Sequence, residues 1–281
     1  MRDTSGQPGL VGFVCPADGS NKPFEHCISS CPKRCMSFPL LMALANGSRE
    51  VQPGVYHVTE ILNPPQVVYY SRNFPYYSHP FSLIWAVFGS AFHALIESQH
   101  EFIRTLESED YDVEKNFKAD LGFATLSGTA DLYDRKSKTL WDFKTIKSYA
   151  VKMMLQGDFS GNKYKDQMNI YRAYGFPEAE HLKIEAVVKD WSAAVQDKDR
   201  ILPVEDIDVP IDLVSNTVAM TVARTQEHVT AQETGAPRLC TDEERWINTN
   251  PRSKNCGVAL RCRDYCPVSA YCMQNKMDAH E

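Results

Sequence analysis

Between Leu126 and Lys144 the chain reads LSGTADLYDRKSKTLWDFK, and no other stretch restricts its fold as much. Two runs of strand-forming residues flank the polar turn Arg135 to Lys138, a pattern that predicts a β-hairpin. Asp131 lies near the end of the first strand, and Asp142 and Lys144 close the second. Side chains two apart on a strand share a face, and hairpin pairing brings Asp131 alongside Asp142. Carboxylates held that close raise each other's pKa unless a cation neutralises them, and magnesium and manganese are the hard cations that prefer oxygen ligands. Lys144 is then placed to orient a water or to stabilise charge on a phosphate. An isolated Asp-x-Lys on a solvated hairpin is common, so the pattern needs support from other segments.

Composition sets the frame. At 281 residues and 43% apolar, the chain can form one large domain with a core, or one domain with a small appendage. No run of about 18 wholly apolar residues is present, and MRDTSGQPGL lacks the build of a secretory signal, so a cytoplasmic protein without a membrane partner is expected. The net charge of −6 argues against a surface that binds polyanions wholesale and confines any nucleic-acid contact to local basic patches.

Nine cysteines fall in two groups, Cys15, Cys27, Cys31 and Cys35 near the start and Cys240, Cys256, Cys262, Cys266 and Cys272 near the end. In a reducing compartment that segregation points to metal or redox chemistry before disulfides. Residues 1–54 are rich in Gly, Pro, Ser and Cys, with C-x11-C-x3-C-x3-C spacing, and read as a poor core former stapled by zinc. Spacing of four also suits a stripe on a buried helix, which Pro32 disfavours, and both readings stay open. Cys256, Cys262, Cys266 and Cys272 have C-x5-C-x3-C-x5-C spacing, which by count suits an iron-sulfur cluster or tetrahedral zinc. Arg252, Lys254, Arg261 and Arg263 would offset the thiolate charge.

Upstream of the hairpin, Trp85, Phe88, Phe92, Leu95, Ile96 and Ile103 recur at helical spacing, a stripe expected to face the core. His93 lies beside it among small residues, and gains interest only if the carboxylates lie beneath. Downstream, Gln167 and Tyr171 share a helix face near Lys163, Lys165 and Arg172, which suits an entering nucleic-acid strand or a plain solvated face. Leu182 to Trp191 reads as a buried strand and Ile211 to Gln232 as a helix, giving an α/β layer arrangement.

The ordered segments FGSAFHALIE, SGTADLYD, WDFKT and DQMNIY resemble the PD-(D/E)XK nuclease superfamily, in particular its RecB-like branch, close to the CRISPR-associated RecB-like exonucleases and their phage relatives. The resemblance spans His57 to Trp191. It implies a restriction-endonuclease-like α/β core, a central mixed sheet flanked by helices, over residues 55–235. Cysteine-rich metal-binding modules would occupy 1–54 and 236–281. It further implies a Mg- or Mn-dependent deoxyribonuclease, foremost an exonuclease on single-stranded DNA ends, working with protein partners in DNA processing, recombination or repair. The alternative is a catalytically silent DNA-binding or assembly subunit. Carried over, His93, Asp131, Asp142 and the Phe143 carbonyl hold the metal, Lys144 is the catalytic lysine, and Gln167 and Tyr171 orient the strand.

Two departures stand out. The relatives place one cluster cysteine ahead of the core, whereas the positional counterpart here, NPPQ at Asn63 to Gln66, has none. CPKR at Cys31 is the closest in wording, but the expected 4Fe-4S ligands are Cys256, Cys262, Cys266 and Cys272, with zinc as the alternative metal. The N-terminal cysteine module, expected to bind zinc separately, is not required by the core family.

Overall fold

In the computed structural model, which describes residues 8–46, 51–99, 110–272 and 274, nine strands are named in chain order. They are β1 (Gly9–Val14), β2 (Asn21–Pro23), β3 (Val55–His57), β4 (Pro75–Ser78), β5 (Tyr111–Asp120), β6 (Thr125–Asp134), β7 (Thr139–Ile146), β8 (His181–Val188) and β9 (Val204–Asp208). The helices are α1 (Phe38–Ala45), α2 (Val58–Ile61), α3 (Pro65–Asn73), α4 (Pro80–Ser98), α5 (Ser148–Leu155), α6 (Tyr164–Tyr174), α7 (Ala193–Asp199), α8 (Val214–Thr234), α9 (Asp242–Arg245) and α10 (Leu260–Asp264), with a π-helical turn at His26–Ser30. Contacts divide the chain into two units that interleave in sequence: Met1–Pro53, Asn63–Val87 and Gln226–Glu281 form one, Gly54–Leu62 and Phe88–Thr225 the other. The two cysteine-bearing ends, expected as separate modules, thus belong to one unit.

The second unit is built on a six-stranded mixed sheet, ordered β3-β6-β7-β8-β9 with β5 also on β6. The central hairpin forms where the sequence places it, because Asp134 caps its own turn by accepting from the Lys136 N–H and the Ser137 hydroxyl. In β8 the strict alternation of Leu182, Ile184, Ala186 and Val188 turns one buried face to the core. The decisive feature is how β6 is shared. Strand β5 pairs from Tyr111↔Asp134 to Asp120↔Thr125, with Glu114 and Asp131 left out of the ladder. On the opposite edge β3 takes Thr125 to Ser127 in parallel, and β7 takes Leu132 to Asp134 antiparallel. Gly128 to Asp131 therefore face a gap in the sheet, since the β6–β7 pairing ends at Leu132↔Trp141 and the β3–β6 pairing at His57↔Ser127.

Helix α4 departs from expectation. Its apolar stripe is largely on the exposed side, with Trp85 at 50%, Phe88 at 49% and Leu95 at 60% exposure, and Ile103 lies outside the described residues. What α4 sets against the sheet is its small-residue face, where Gly89 lies close to Thr145 on β7 and the Phe92 ring meets Phe143 edge-on. Among the described residues α4 is the one helix long and apolar enough to cross a membrane, by length and composition alone.

In the first unit β1 lies between β2 and β4. Residues that composition marks as poor core formers do supply a core here: Phe13 and Phe24 meet edge-on and pack with Ile28, Leu41 and Leu44. Pro39 in the first turn of α1 fixes the helical φ at no hydrogen-bond cost, since that N–H would be unpaired anyway.

Candidate active site

The gap beside β6 is filled by side chains. Asp131 reaches across it, and its Oδ2 accepts the Phe143 backbone N–H at 2.7 Å, a bond that a β6 carbonyl would take in a continuous ladder. A strand residue's N–H and C=O point to the same edge, so the Phe143 carbonyl also faces this gap. Asp131 Oδ1 lies 3.5 Å from His93 Nδ1, which α4 delivers from above the sheet. Of the two expected carboxylates, Asp131 lies against the histidine.

Asp142 is 1% exposed and turned toward Lys144 and Gln167. Lys144 Nζ hydrogen-bonds its Oδ1 at 2.7 Å, and Gln167 Nε2 lies 3.3 Å from the same oxygen. Oδ2, though 2.7 Å from the same ammonium, is buried and has no hydrogen bond of acceptable geometry. Gln167 also donates to the Tyr171 hydroxyl at 3.0 Å, and Lys144 stands 5.6 Å over the Tyr164 ring. The sequence-derived residues His93, Asp131, Asp142, Phe143, Lys144, Gln167 and Tyr171 thus meet at one place. The positive charge expected near them is largely engaged elsewhere, Lys165 with Asp212 at 2.7 Å and Arg172 with the Ala179 carbonyl at 2.9 Å.

Burial and the Asp142 charge push Asp131 up to about 7, although Lys144, His93 and the Phe143 N–H work the other way. His93 is raised by the neighbouring Glu114 carboxylate, against burial and with help from Asp131. Burial alone would lower Lys144, but Asp142 and Asp131 outweigh it and hold the ammonium charged. Tyr171 is raised by burial and then by Asp142, so its hydroxyl stays a donor. A raised carboxylate, a buried carboxylate oxygen without a hydrogen bond and a nearby imidazole fit a divalent cation.

One member escaped the sequence reading. Glu114 Oε1 lies 3.6 Å from His93 Nδ1, and His93, Glu114 and Asp131 offer ligand atoms all within 4.8 Å of one another. Among the described residues no other group of acidic, histidine or cysteine side chains is as close, and Asp142 stands outside it. Counted from the flanking ladder pairs Glu114 falls opposite Asp131, although these two are not themselves paired in the ladder, and carboxylates so placed repel without a cation.

The motif glycine has a local reason. A Cβ on Gly128 would stand 2.5 Å from the Phe117 ring and 2.9 Å from Tyr171. Phe117 is wedged between Gly128 and Gly175 and meets Tyr171 edge-on at 5.6 Å, which fixes the phenol under Gln167.

The cysteines form two constellations in the first unit. Cys240, Cys262, Cys266 and Cys272 line one cavity with Gln66, Tyr70, Glu244 and Arg261. Cys256, expected as a ligand, does not line it: it sits exposed in a turn, its N–H bonded to the Ser253 carbonyl. Cys240 takes that place because Gln274 clamps its backbone at both N–H and C=O, each at 3.0 Å. The NPPQ segment arrives at this cavity with Gln66, whose Oε1 accepts from the Cys272 thiol at 3.2 Å and the Cys240 thiol at 3.5 Å. Burial, Glu244 and the neighbouring thiols push Cys240 up to about 12. Arg261 lines the cavity, whereas Arg263 is paired with Asp264 at 2.7 Å.

At the other end, Cys15 opens the β1–β2 turn, Cys27 lies in the π-helical turn, and Cys31 and Cys35 follow it. Only Cys27 is helical, so the buried-helix stripe does not form. Burial and then the neighbouring Cys31, Cys35 and Cys15 push Cys27 up to about 11.

Fold and site together define a mixed α/β protein with a buried carboxylate, histidine and lysine centre. No protein-family model matches the chain, and no curated protein matches it. Among solved structures it is similar to SSO0001, at 18% identity and a TM-score of 0.49 over 84% of this chain and 95% of that one. It is also similar to a phage-related exonuclease from Haemophilus somnus 129PT, at 14% identity and a TM-score of 0.32 over 50% of this chain and 70% of that one. Neither likeness is close enough to argue from, and the functional reading rests on the site.

Proposed function

We propose that the chain is a divalent-metal-dependent nuclease that hydrolyses DNA phosphodiesters, foremost at single-stranded ends. The observation that carries this is the gap beside β6, where Asp131 is buried against His93, and Asp142 is buried beside Lys144 with no hydrogen bond on its Oδ2. His93, Asp131, Asp142 and the Phe143 carbonyl would hold Mg or Mn, which when bound supplies Lewis-acid polarisation of a phosphate and a more acidic water. Asp131 is oriented for this by the Phe143 N–H, and Asp142 by Lys144. Lys144 stays charged in a site that excludes most water, where a fixed ammonium offsets negative charge growing on phosphate oxygens. Gln167 and Tyr171 present an amide and a hydroxyl to the incoming strand from a face that Phe117 holds in place.

The test is cleavage of end-labelled single- and double-stranded DNA, and of RNA, with Mg or Mn. Degradation from ends that disappears in Asp131→Asn supports the reading. Binding without cleavage under every condition would leave a silent DNA-binding subunit.

For the cysteines, the cavity of Cys240, Cys262, Cys266 and Cys272 is proposed to hold a 4Fe-4S cluster. A single zinc with bonds of about 2.3 Å draws its sulfurs to roughly 4 Å apart. No three thiols of either cysteine group lie within 4.8 Å of one another, and the cluster is proposed here on the resemblance described above. Cys15, Cys27, Cys31 and Cys35, on more exposed ground, are proposed to take zinc with rotation of their side chains. Metal analysis of anaerobically purified protein separates the two.

A further inference from the structure

The carboxylate of Glu114 has no part in the four motifs that suggested the site, yet its setting is unusual. Its backbone lies at φ 47°, in the left-handed region that a glutamate adopts only against a steric cost. The ladder pairs Val113 with Leu132 and Lys115 with Ala130, so Glu114 falls opposite Asp131 by count, and this is the one position between Tyr111 and Asp120 where the ladder is interrupted. Directly opposed residues of an antiparallel pair share a face, and two carboxylates there repel. Strain and like-charge repulsion coincide at one position, in a strand that otherwise pairs regularly from Tyr111 to Asp120.

We infer that Glu114 is itself a ligand of the divalent cation at this centre, an inference that rests on the metal-dependent reading above. The same His93 nitrogen, Nδ1, lies 3.5 Å from Asp131 Oδ1 and 3.6 Å from Glu114 Oε1. A carboxylate that served to orient a ligating histidine would take the other ring nitrogen, leaving Nδ1 for the metal. Here all three groups converge on one point, with their ligand atoms within 4.8 Å. Charge agrees: the carboxylates of Glu114, Asp131 and Asp142 are balanced by one ammonium, Lys144, and one divalent cation. The resulting set, carboxylate-rich with a single imidazole, suits manganese.

The competing role is structural, with Glu114 serving as an ion-pair partner for protonated His93 and nothing more. Mn2+ affinity by calorimetry and melting temperature in EDTA, measured on the full chain, on Asp131→Asn, on Glu114→Gln and on Glu114→Gly, separate the two. As a ligand, Glu114 predicts that both Glu114 variants lose Mn2+ affinity by about tenfold or more. Glu114→Gly should also melt higher than the parent without metal, because glycine accepts the left-handed backbone freely. If Asp131→Asn loses the metal while both Glu114 variants bind it like the parent, or if the variants melt lower in EDTA with unchanged affinity, the inference is overturned and the centre stands without it. If Asp131→Asn and Glu114→Gln both bind Mn2+ like the parent, the metal-dependent reading falls and takes the inference with it.

Discussion

Lys144 and Asp142 are a buried ion pair whose two halves cannot be treated alike. Truncating Lys144 to Ala leaves the Asp142 carboxylate, 1% exposed, without its cation, which costs about 3–5 kcal/mol in comparable buried pairs. Lys144→Ala should therefore unfold at lower urea in EDTA, regain part of the difference with Mn2+, and lose most of any cleavage rate. Full activity in this variant would remove Lys144 from the mechanism. Asp131 and His93 set the pH response of the metal-free protein, and both act in one direction. Each has a folded-state pKa above its ordinary value, Asp131 at about 7 against 3.8. Between about pH 4 and 7 the folded protein then binds more protons than the unfolded chain, so stability falls as pH rises. Scanning calorimetry in EDTA should show a melting temperature that drops across this window, while the stabilisation by Mn2+ grows, because the cation competes with the same protons. A flat metal-free profile would contradict the burial of Asp131. These residues were legible in the sequence because four ordered segments, and not the hairpin charges alone, marked them. Glu114 was not, because its role depends on a φ of 47° and a strand register that no local pattern announces.

At the scale of elements, the site exists because β6 changes partner along one edge. The hairpin was readable from its turn, but the third participant, β3, contributes only Val55 to His57 and pairs with residues 70 positions downstream, Thr125 to Ser127. So short a strand has no periodicity to detect, and the gap it leaves could not be foreseen. Helix α4 was located correctly and its exposed face misjudged. Aromatic residues at helical spacing look alike whichever side meets the sheet, and small residues such as Gly89 decide the approach. The contact of β6 with α6 runs through Phe117, Gly128 and Tyr171. Gly128→Ala inserts a methyl within 2.5 Å of the Phe117 ring, and overpacking of this kind costs about 1–3 kcal/mol. Phe117→Leu alone should cost about as much, through lost packing on Tyr171. In the double variant the smaller side chain makes room for the methyl, so the two effects should fall short of their sum in a urea-unfolding cycle. Strict additivity would mean that Phe117 does not mediate the contact.

Across the whole molecule, chain order conceals which parts depend on one another. The cysteine groups were visible from counting, but the spacing of the last four pointed to Cys256, whereas Cys240, sixteen residues earlier and held by Gln274, lines the cavity with the other three. Within that unit the supports of the cavity can be traced. Cys272 follows Tyr271, whose hydroxyl donates to the Pro75 carbonyl and whose ring lies 5.1 Å from Phe74. Pro75 begins β4, which pairs with Gly9 to Phe13 of β1, and Gly9 N–H bonds the Phe74 carbonyl at 3.1 Å. Removing residues 1–53 deletes β1, the middle strand of this sheet, together with Phe13, Phe24, Ile28, Leu41 and Leu44 of its core. Strand β4 would then have no partner, and the backbone beneath Tyr271 no fixed register. The shortened chain should therefore purify without iron even under anaerobic conditions, although every cysteine that lines the cavity remains. In the full chain Cys240→Ser should lose the cluster and Cys256→Ser should keep it, as read by visible absorbance and iron content. A shortened chain that stays brown would show that the cavity assembles independently of β1, and a bleached Cys256→Ser would return that cysteine to the ligand set.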